Sequence, residues 1–167
     1  MNIREWDSSE SAPQMLTQLW REHPKFLRTQ IGQLHRFLID CCWKYEHLIP
    51  QEGLRDGLRG AERYLAGDIG DDELDRLNYY AESEAFRIEY ARSSEELADL
   101  EKLIRSIPEI HLLPFEEARA LLLEAAYFAE GAMIYPRFDG LPWVDRLFES
   151  EFLCANLLRQ NIKPPLQ

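Results

Sequence analysis

The chain has 167 residues, 46% of them apolar and 29% charged, a composition that excludes a disordered protein and suits one domain or two small lobes. Its formal net charge of −11 at pH 7 lies entirely in residues 68–167, because residues 1–67 hold nine basic and nine acidic side chains. Such an acidic surface excludes nucleic acid and anionic membranes as partners and favours a protein partner with a basic surface.

The N-terminal part of the chain has the apolar spacing of α-helices. Ser9 and Ser11 are suitable caps for a first helix that reaches Trp20. Apolar side chains then repeat every three or four residues over 24–48, which predicts one long second helix. Residues 51–66 predict a third helix, in which Gly-Leu-Arg occurs twice. We interpret its glycines as a close helix contact rather than an anion site, because no strand precedes them.

The C-terminal part also predicts helices. Residues 74–91 form a fourth, and Ser93 with Glu96 makes a capping box for a fifth. Residues 109–114 form a connector, either a turn or extended. Residues 115–135 are apolar on most sides, which predicts the central buried helix, and Pro142 opens a last helix. The predicted fold class is therefore all-α, a compact bundle of about six or seven helices.

The predicted organisation is a single domain over residues 1–167. The division of charge allows two lobes within it, a balanced one over 1–67 and an acidic one over 68–160, followed by a frayed tail over 161–167. The chain starts with polar and acidic residues and has no uncharged apolar run long enough to span a membrane, so we expect a cytoplasmic protein without a signal peptide.

The cysteines and histidines predict no metal or catalytic site. Cys41 and Cys42 are adjacent, so their side chains point about 100° apart on a helix, and no second cysteine pair exists. The four histidines lie in separate elements without the partners of a catalytic triad. No Glu-x-x-His pair or calcium loop is present. We therefore expect no metal, no cofactor and no catalytic residue.

Two carboxylates are exceptions among the acidic residues. Glu124 and Glu130 lie in the apolar segment that predicts the central helix. A buried carboxylate needs a partner or a shifted pKa. We expect an arginine to pair with one of them as a structural bridge.

The loop over 135–143 combines aromatic, charged and proline residues between two predicted helices. Loops held on a rigid scaffold often carry recognition. In a structural interpretation Arg137 and Asp139 pin the loop, and in a functional one the loop borders a small-molecule pocket. The candidate binding residues are Tyr135, Arg137, Asp139 and Trp143.

Several short motifs occur together along the chain. They are Glu-Trp at 5–6, Pro-Gln-Met-Leu at 13–16, Cys-Cys at 41–42, His-Leu at 47–48, Ala-Glu-Arg-Tyr at 61–64 and Arg-Phe-Asp-Gly-Leu-Pro at 137–142. This series resembles that of an uncharacterised family of helical proteins, present as paralogues in planctomycete bacteria, whose last motif is one residue longer. The resemblance implies an all-helical fold and a bacterial source, and it brings no activity.

The sequence favours a non-enzymatic protein-interaction module that docks a basic partner on its acidic C-terminal lobe. The alternative is a small-molecule binder or an enzyme with its pocket near the 135–143 loop. A homo-oligomer formed through the second helix is also possible, although a core within one chain explains that apolar stripe better.

Overall fold

The computed structural model describes residues 1–138 and 145–166, the side chains at 145 and 146 excepted. These ranges contain ten α-helices, two 3-10 turns (Glu46–Leu48 and Tyr135–Arg137) and no β-strand. The helices are α1 (Ile3–Ser8), α2 (Ala12–Glu22), α3 (Pro24–Arg28), α4 (Ile31–Lys44), α5 (Glu52–Leu65), α6 (Asp71–Glu89), α7 (Ser94–Arg105), α8 (Phe115–Ile134), α9 (Asp145–Phe148) and α10 (Ala155–Asn161). The all-α prediction is confirmed, whereas six or seven helices is too few.

Helix α8 is the centre of the molecule, as its apolar sequence predicts. It packs against α4, α5, α6 and α7, and alanines on several of its faces let these neighbours approach closely. Buried side chains from Trp6 in α1 to Ile162 after α10 form one continuous apolar cluster around it. Association of amphipathic helices around an apolar helix is how such a core excludes water.

The predicted second helix is in fact two helices, α3 and α4. The hydroxyl of Thr29 donates to the carbonyl of Phe26 at 2.7 Å, and the N–H of Gln30 donates to that of Leu27 at 2.9 Å. Such short-range hydrogen bonds compete with the helical ladder and turn the chain. Ile31, which the apolar stripe places in the core, is consequently 43% exposed.

The predicted last helix is also interrupted, between α9 and α10; its predicted start at Pro142 lies outside the described residues. The Ser150 hydroxyl accepts the N–H of Phe152 at 3.1 Å, and this turn brings Phe152 and Leu153 into the core. The Phe152 ring packs against those of Tyr45 and Phe128, with centroids 5.1 and 5.5 Å apart. Burial of these two side chains stabilises the break.

Helix α1 is an element that the apolar spacing did not predict. Asn2 accepts the N–H of Glu5 at 3.0 Å, and the Glu5 carboxylate accepts the N–H of Asn2 at 2.9 Å, a complete capping box. Trp6 is buried, and the Arg159 guanidinium donates to its carbonyl at 3.0 Å, joining α1 to α10. The Asn-x-x-Glu spacing was the signal available in the sequence.

The connector over 109–114 consists of turns rather than an extended segment. Arg105 at the end of α7 donates to the carbonyls of His111 and Leu113, the latter at 3.3 Å. A cation at the last turn of a helix is favourable, and here it also fixes the connector.

The glycines of α5 make the close helix contact that the sequence predicts. A Cβ atom at Gly57 would lie 2.6 Å from the sulfur of Met133 in α8, and one at Gly60 would lie 2.2 Å from a methyl group of Leu77 in α6. Helix α5 therefore approaches both neighbours at a distance that larger residues would prevent.

The two arginines of the same repeat have separate partners. Arg55 donates to the carbonyls of Ile49 at 2.7 Å and Glu46 at 3.0 Å, and Arg59 pairs with the carboxylates of Glu52 and Asp56. These contacts support the structural interpretation of the repeat over an anion site.

Candidate functional site

The candidate binding residues of the 135–143 loop do not share one environment. Tyr135 is 2% exposed, and its ring packs edge-on against that of Phe148 with centroids 5.7 Å apart. Arg137 is on the surface. Asp139 and Trp143 lie outside the described residues. Of the four candidates, the structure thus describes one core residue and one surface residue.

Arg137 joins the end of α8 to the start of α6. Its Nε and Nη2 donate to the two carboxylate oxygens of Asp75 at 3.0 and 3.1 Å, and its Nη1 donates to Asp71 at 3.0 Å. A guanidinium that holds a carboxylate through two parallel bonds fixes geometry as well as charge. The described partners of Arg137 are therefore two carboxylates of α6. The sequence had instead suggested Asp139, which is close to Arg137 along the chain.

The two carboxylates of α8 differ from each other. Glu124 is exposed, whereas Glu130 is half-buried and accepts the side-chain amide of Asn78 at 2.7 Å. Burial raises the pKa of Glu130, an effect that Asn78 opposes. The partner we expected was an arginine, but Arg119 of the same helix donates instead to carbonyls at the end of α6, at 2.9–3.1 Å. Those carbonyls belong to Ile88, Glu89 and Ala91.

Cys41 and Cys42 are fully buried core residues of α4. Burial raises the pKa of the Cys41 thiol to about 12 and raises that of Cys42 well above its usual value. A thiol held in its neutral form is neither a nucleophile nor a metal ligand. The described residues contain no group of three or more side chains that could hold a metal ion.

Cys154 differs from the other two cysteines. It is half-buried before α10, and the Lys44 ammonium donates to its sulfur at 3.3 Å. Burial acts to raise the pKa of this thiol, but the backbone N–H groups of Leu157 and Asn156 together with Lys44 lower it overall. Cys154 is therefore the thiolate-prone cysteine of the chain.

His35 is a buried polar residue at the contact of α4 with α8. Its Nε2 donates to the carbonyl of Met133 at 3.0 Å, while its Nδ1 is buried without a hydrogen-bond partner among the described residues. Burial lowers the pKa of the imidazole to about 4. The ring is thus neutral and structural at physiological pH, and the sequence alone gave it no role.

The most unusual surface is on α6. Four large aromatic side chains lie outside the core, three of them in α6 and the fourth at Tyr90, the residue that caps its C-terminal end. We call them the aromatic ridge. Tyr79 and Tyr80 contact each other edge-on with centroids 5.8 Å apart, and Phe86 and Tyr90 do so at 5.6 Å. The exposed fractions are 67% for Tyr79, 53% for Tyr80, 40% for Phe86 and 54% for Tyr90.

The signal for the aromatic ridge was present in the sequence. Helix α6 buries its small and aliphatic stripe, which includes Leu74, Ala81, Ala85 and Ile88. The aromatic residues fall between those positions, so the same periodicity that predicts the helix also places them outside the core. The buried stripe alone was used to predict the helix, and no function was assigned to the exposed aromatic residues beside it.

The aromatic ridge lies within the most acidic part of the chain. Residues 71–105, which include α6 and α7, carry eleven acidic and five basic side chains. This segment therefore supplies −6 of the net charge of −11. Exposed rings in an acidic segment suit a partner that brings both apolar and basic side chains.

A groove of about 530 Å³ adjoins the aromatic ridge. It lies between the second half of α6, helix α7 and the residue that precedes α5. Its deep surface is apolar, from Ile88, Leu100 and Leu103, and Phe86 and Tyr90 line it from the ridge. The groove thus continues the exposed apolar surface of α6 inward.

The described lining of the groove carries three carboxylates and one guanidinium. The carboxylates are Glu84, Glu96 and Asp99, and the guanidinium is Arg87. The backbone N–H groups of Arg92 and Ser93 lower the pKa of Glu96, so this carboxylate keeps its charge in mildly acidic solution. The groove is consequently negative as well as apolar.

Comparison of the chain with family models, with curated proteins and with solved structures gives no match. Among the described helices, none is long and apolar enough to cross a membrane. The geometry of the surface is therefore the basis on which a function can be proposed.

Proposed function

We propose that the chain is a non-enzymatic protein-interaction module whose docking surface is the aromatic ridge on the acidic C-terminal half. The observation that carries this proposal is the exposure of four aromatic side chains, at 40–67%, along one helix and its C-terminal cap. Tyrosine and phenylalanine bury much apolar area for the loss of few rotatable bonds, and aromatic residues are enriched at the centres of interfaces.

The partner in this proposal has a basic surface. The acidic segment over 71–105 repels anionic membranes and nucleic acid, and a second copy of the chain would bring two negative surfaces together. Attraction between exposed charges is screened beyond about 8 Å at physiological ionic strength. Binding should therefore weaken as salt is added.

The small-molecule alternative at the 135–143 loop has less support. The guanidinium of Arg137 is held by Asp71 and Asp75, and Tyr135 is packed in the core. A ligand would have to replace contacts that already satisfy Arg137. The roles of Asp139 and Trp143 stay predictions.

The proposal can be tested by quantitative affinity capture from native-host lysate with two variants. The double variant Tyr79→Ser, Tyr90→Ser removes two rings of the aromatic ridge. The matched control is Leu112→Ser, because Leu112 is 85% exposed in the connector before α8. All three proteins are first compared by circular dichroism and thermal unfolding to confirm equal folding.

We expect the unmodified chain and Leu112→Ser to capture the same basic protein at low salt, and the double variant to lose it. Raising the salt concentration should release that protein from both. Equal capture by all three chains, or capture that high salt does not weaken, would contradict the proposal.

A further inference from the structure

We infer that the groove between α6 and α7 receives a basic amphipathic helix of the partner and that Gln51 binds the end of that helix. This inference rests on the proposed function and deepens it, because it names the element that the acidic surface binds.

The shape of the groove suits a helix. Along α6 and its C-terminal cap the lining of the groove runs from Ser83 to Tyr90, about 10 Å at 1.5 Å per residue, which is two turns. Ile88, Leu100 and Leu103 offer an apolar surface below it. Amphipathic helices bind such grooves by side chains spaced three, four and seven residues apart.

Gln51 supplies an uncharged polar group to the lining of the groove. Its side-chain nitrogen and oxygen are both buried, and neither has a hydrogen-bond partner among the described residues. The start of α5 is fixed close to α6, since a Cβ atom at Gly53 would lie 3.0 Å from the side chain of Glu84. The unpartnered amide is therefore held in place at the groove.

An unpartnered buried amide destabilises the free protein, so a ligand that satisfies it gains affinity. The end of a helix leaves backbone N–H or carbonyl groups without internal partners. One side-chain amide offers both a donor and an acceptor, which complements such a terminus. Gln51 thus locates one end of the bound helix at the start of α5.

The charge of the groove indicates which residues the partner helix carries beside its apolar face. Among the described residues that line the groove, the carboxylates of Glu84, Glu96 and Asp99 outnumber the single guanidinium of Arg87. A helix that seats leucines on this apolar surface would therefore present lysine or arginine at its flanks. A neutral or acidic amphipathic helix of the same shape would meet repulsion.

The probe for this inference is a fluorescein-labelled peptide of 16 residues, with leucine on one helical face and lysine on the other. Its controls are a scrambled peptide of identical composition and a peptide with glutamate in place of lysine. Binding to the full chain is measured by fluorescence anisotropy. We expect the basic amphipathic peptide to bind about tenfold more tightly than either control, with an affinity that decreases with salt.

Two charge-reversal variants locate the binding. Asp99→Lys changes a carboxylate that lines the groove, and Glu124→Lys makes the same change in net charge on the exposed side of α8. We expect about a tenfold loss of affinity for Asp99→Lys and less than about a twofold loss for Glu124→Lys, because close charges act more strongly than distant screened ones. Equal losses would overturn the placement in the groove.

Gln51→Leu separates a binding role from a structural one. Removing an unpartnered buried amide should raise the temperature of thermal unfolding of the free protein while it weakens peptide binding. Unchanged peptide binding would overturn the role of Gln51, whatever the unfolding temperature of the variant.

Failure of this inference can be distinguished from failure of the proposed function. If the basic peptide does not bind the unmodified chain but capture from lysate still requires Tyr79 and Tyr90, the groove inference is wrong and the proposed function stands. If capture is also independent of the aromatic ridge, both are wrong. Dimerisation through the aromatic ridge in sedimentation experiments would likewise overturn the basic helix as its occupant.

Discussion

His35 shows how one buried side chain couples the stability of the chain to pH. Its imidazole has no exposed surface, and burial lowers its pKa from 6.5 to about 4. Between these values the unfolded chain binds a proton that the folded chain does not. Stability is therefore present above the unfolded pKa and lost as the pH falls from 6.5 towards 4.

We predict that His35 contributes a loss of about 2 kcal/mol in the free energy of unfolding between about pH 7.5 and pH 5. Denaturant unfolding at a series of pH values measures it. His35→Gln keeps a donor for the carbonyl of Met133 without titrating in this range, so it should reduce the pH dependence by that amount. His111→Gln, in the connector before α8, is the control and should keep the pH dependence of the unmodified chain. If the free energy of unfolding of His35→Gln depended on pH as strongly as that of the unmodified chain, the prediction would be contradicted.

Cys154 is the cysteine that should react first. Cys41 and Cys42 are buried with raised pKa values, whereas Lys44 and two backbone N–H groups favour the thiolate of Cys154. We predict that limited iodoacetamide adds one group to the folded chain, at Cys154, and labels all three cysteines after denaturation. Mass spectrometry of the intact chain measures this.

Two variants provide the controls for thiol reactivity. Cys154→Ser should take up no label while folded, and Lys44→Met should react more slowly at neutral pH because the thiolate loses its cation. Labelling of Cys41 at a comparable rate would show that the core opens more readily than its packing indicates.

At the scale of elements, the glycines of α5 set how closely three helices pack. Gly57 faces the sulfur of Met133, and Met133 is fully buried in α8. By contrast, Gly32 in α4 is exposed, and a Cβ atom there would have no neighbour within 4 Å. The same substitution should therefore have opposite effects at the two positions.

We predict that Gly57→Ala lowers the free energy of unfolding by about 1–3 kcal/mol, since overpacking outweighs the gain in helix propensity. Gly32→Ala should raise it by up to about 1 kcal/mol. Denaturant unfolding of both variants measures the difference. A stabilising Gly57→Ala would mean that α5 and α8 are less tightly packed than the distances indicate.

Apolar periodicity predicted most helices of this fold because each buries one apolar stripe in the core around α8. It could not predict the break after α3 or the one before α10. Those breaks depend on local hydrogen bonds of Thr29 and Ser150 and on the burial of Phe152 against Tyr45, a residue more than a hundred positions away. Contacts between residues so far apart in the sequence cannot be predicted from the pattern of either segment alone.

At the scale of the whole molecule, the structure shows which surface carries much of the uneven charge of the sequence. More than half of the net charge of −11 belongs to residues 71–105, which also carry the aromatic ridge and the groove. The sequence predicted an acidic docking half, but it placed the candidate residues in the 135–143 loop. The contacts of Arg137 with Asp71 and Asp75 come from tertiary structure, which the sequence motif does not contain.

The central claim is that the aromatic ridge contacts a protein partner, and site-specific photo-crosslinking in native-host cells tests it most directly. A benzoylphenylalanine replaces Tyr79 in one variant and Leu112 in a matched control, both at highly exposed positions. We predict a discrete crosslinked product with a basic protein from position 79 and none from position 112. Equal products from both positions, or none from position 79, would contradict the account.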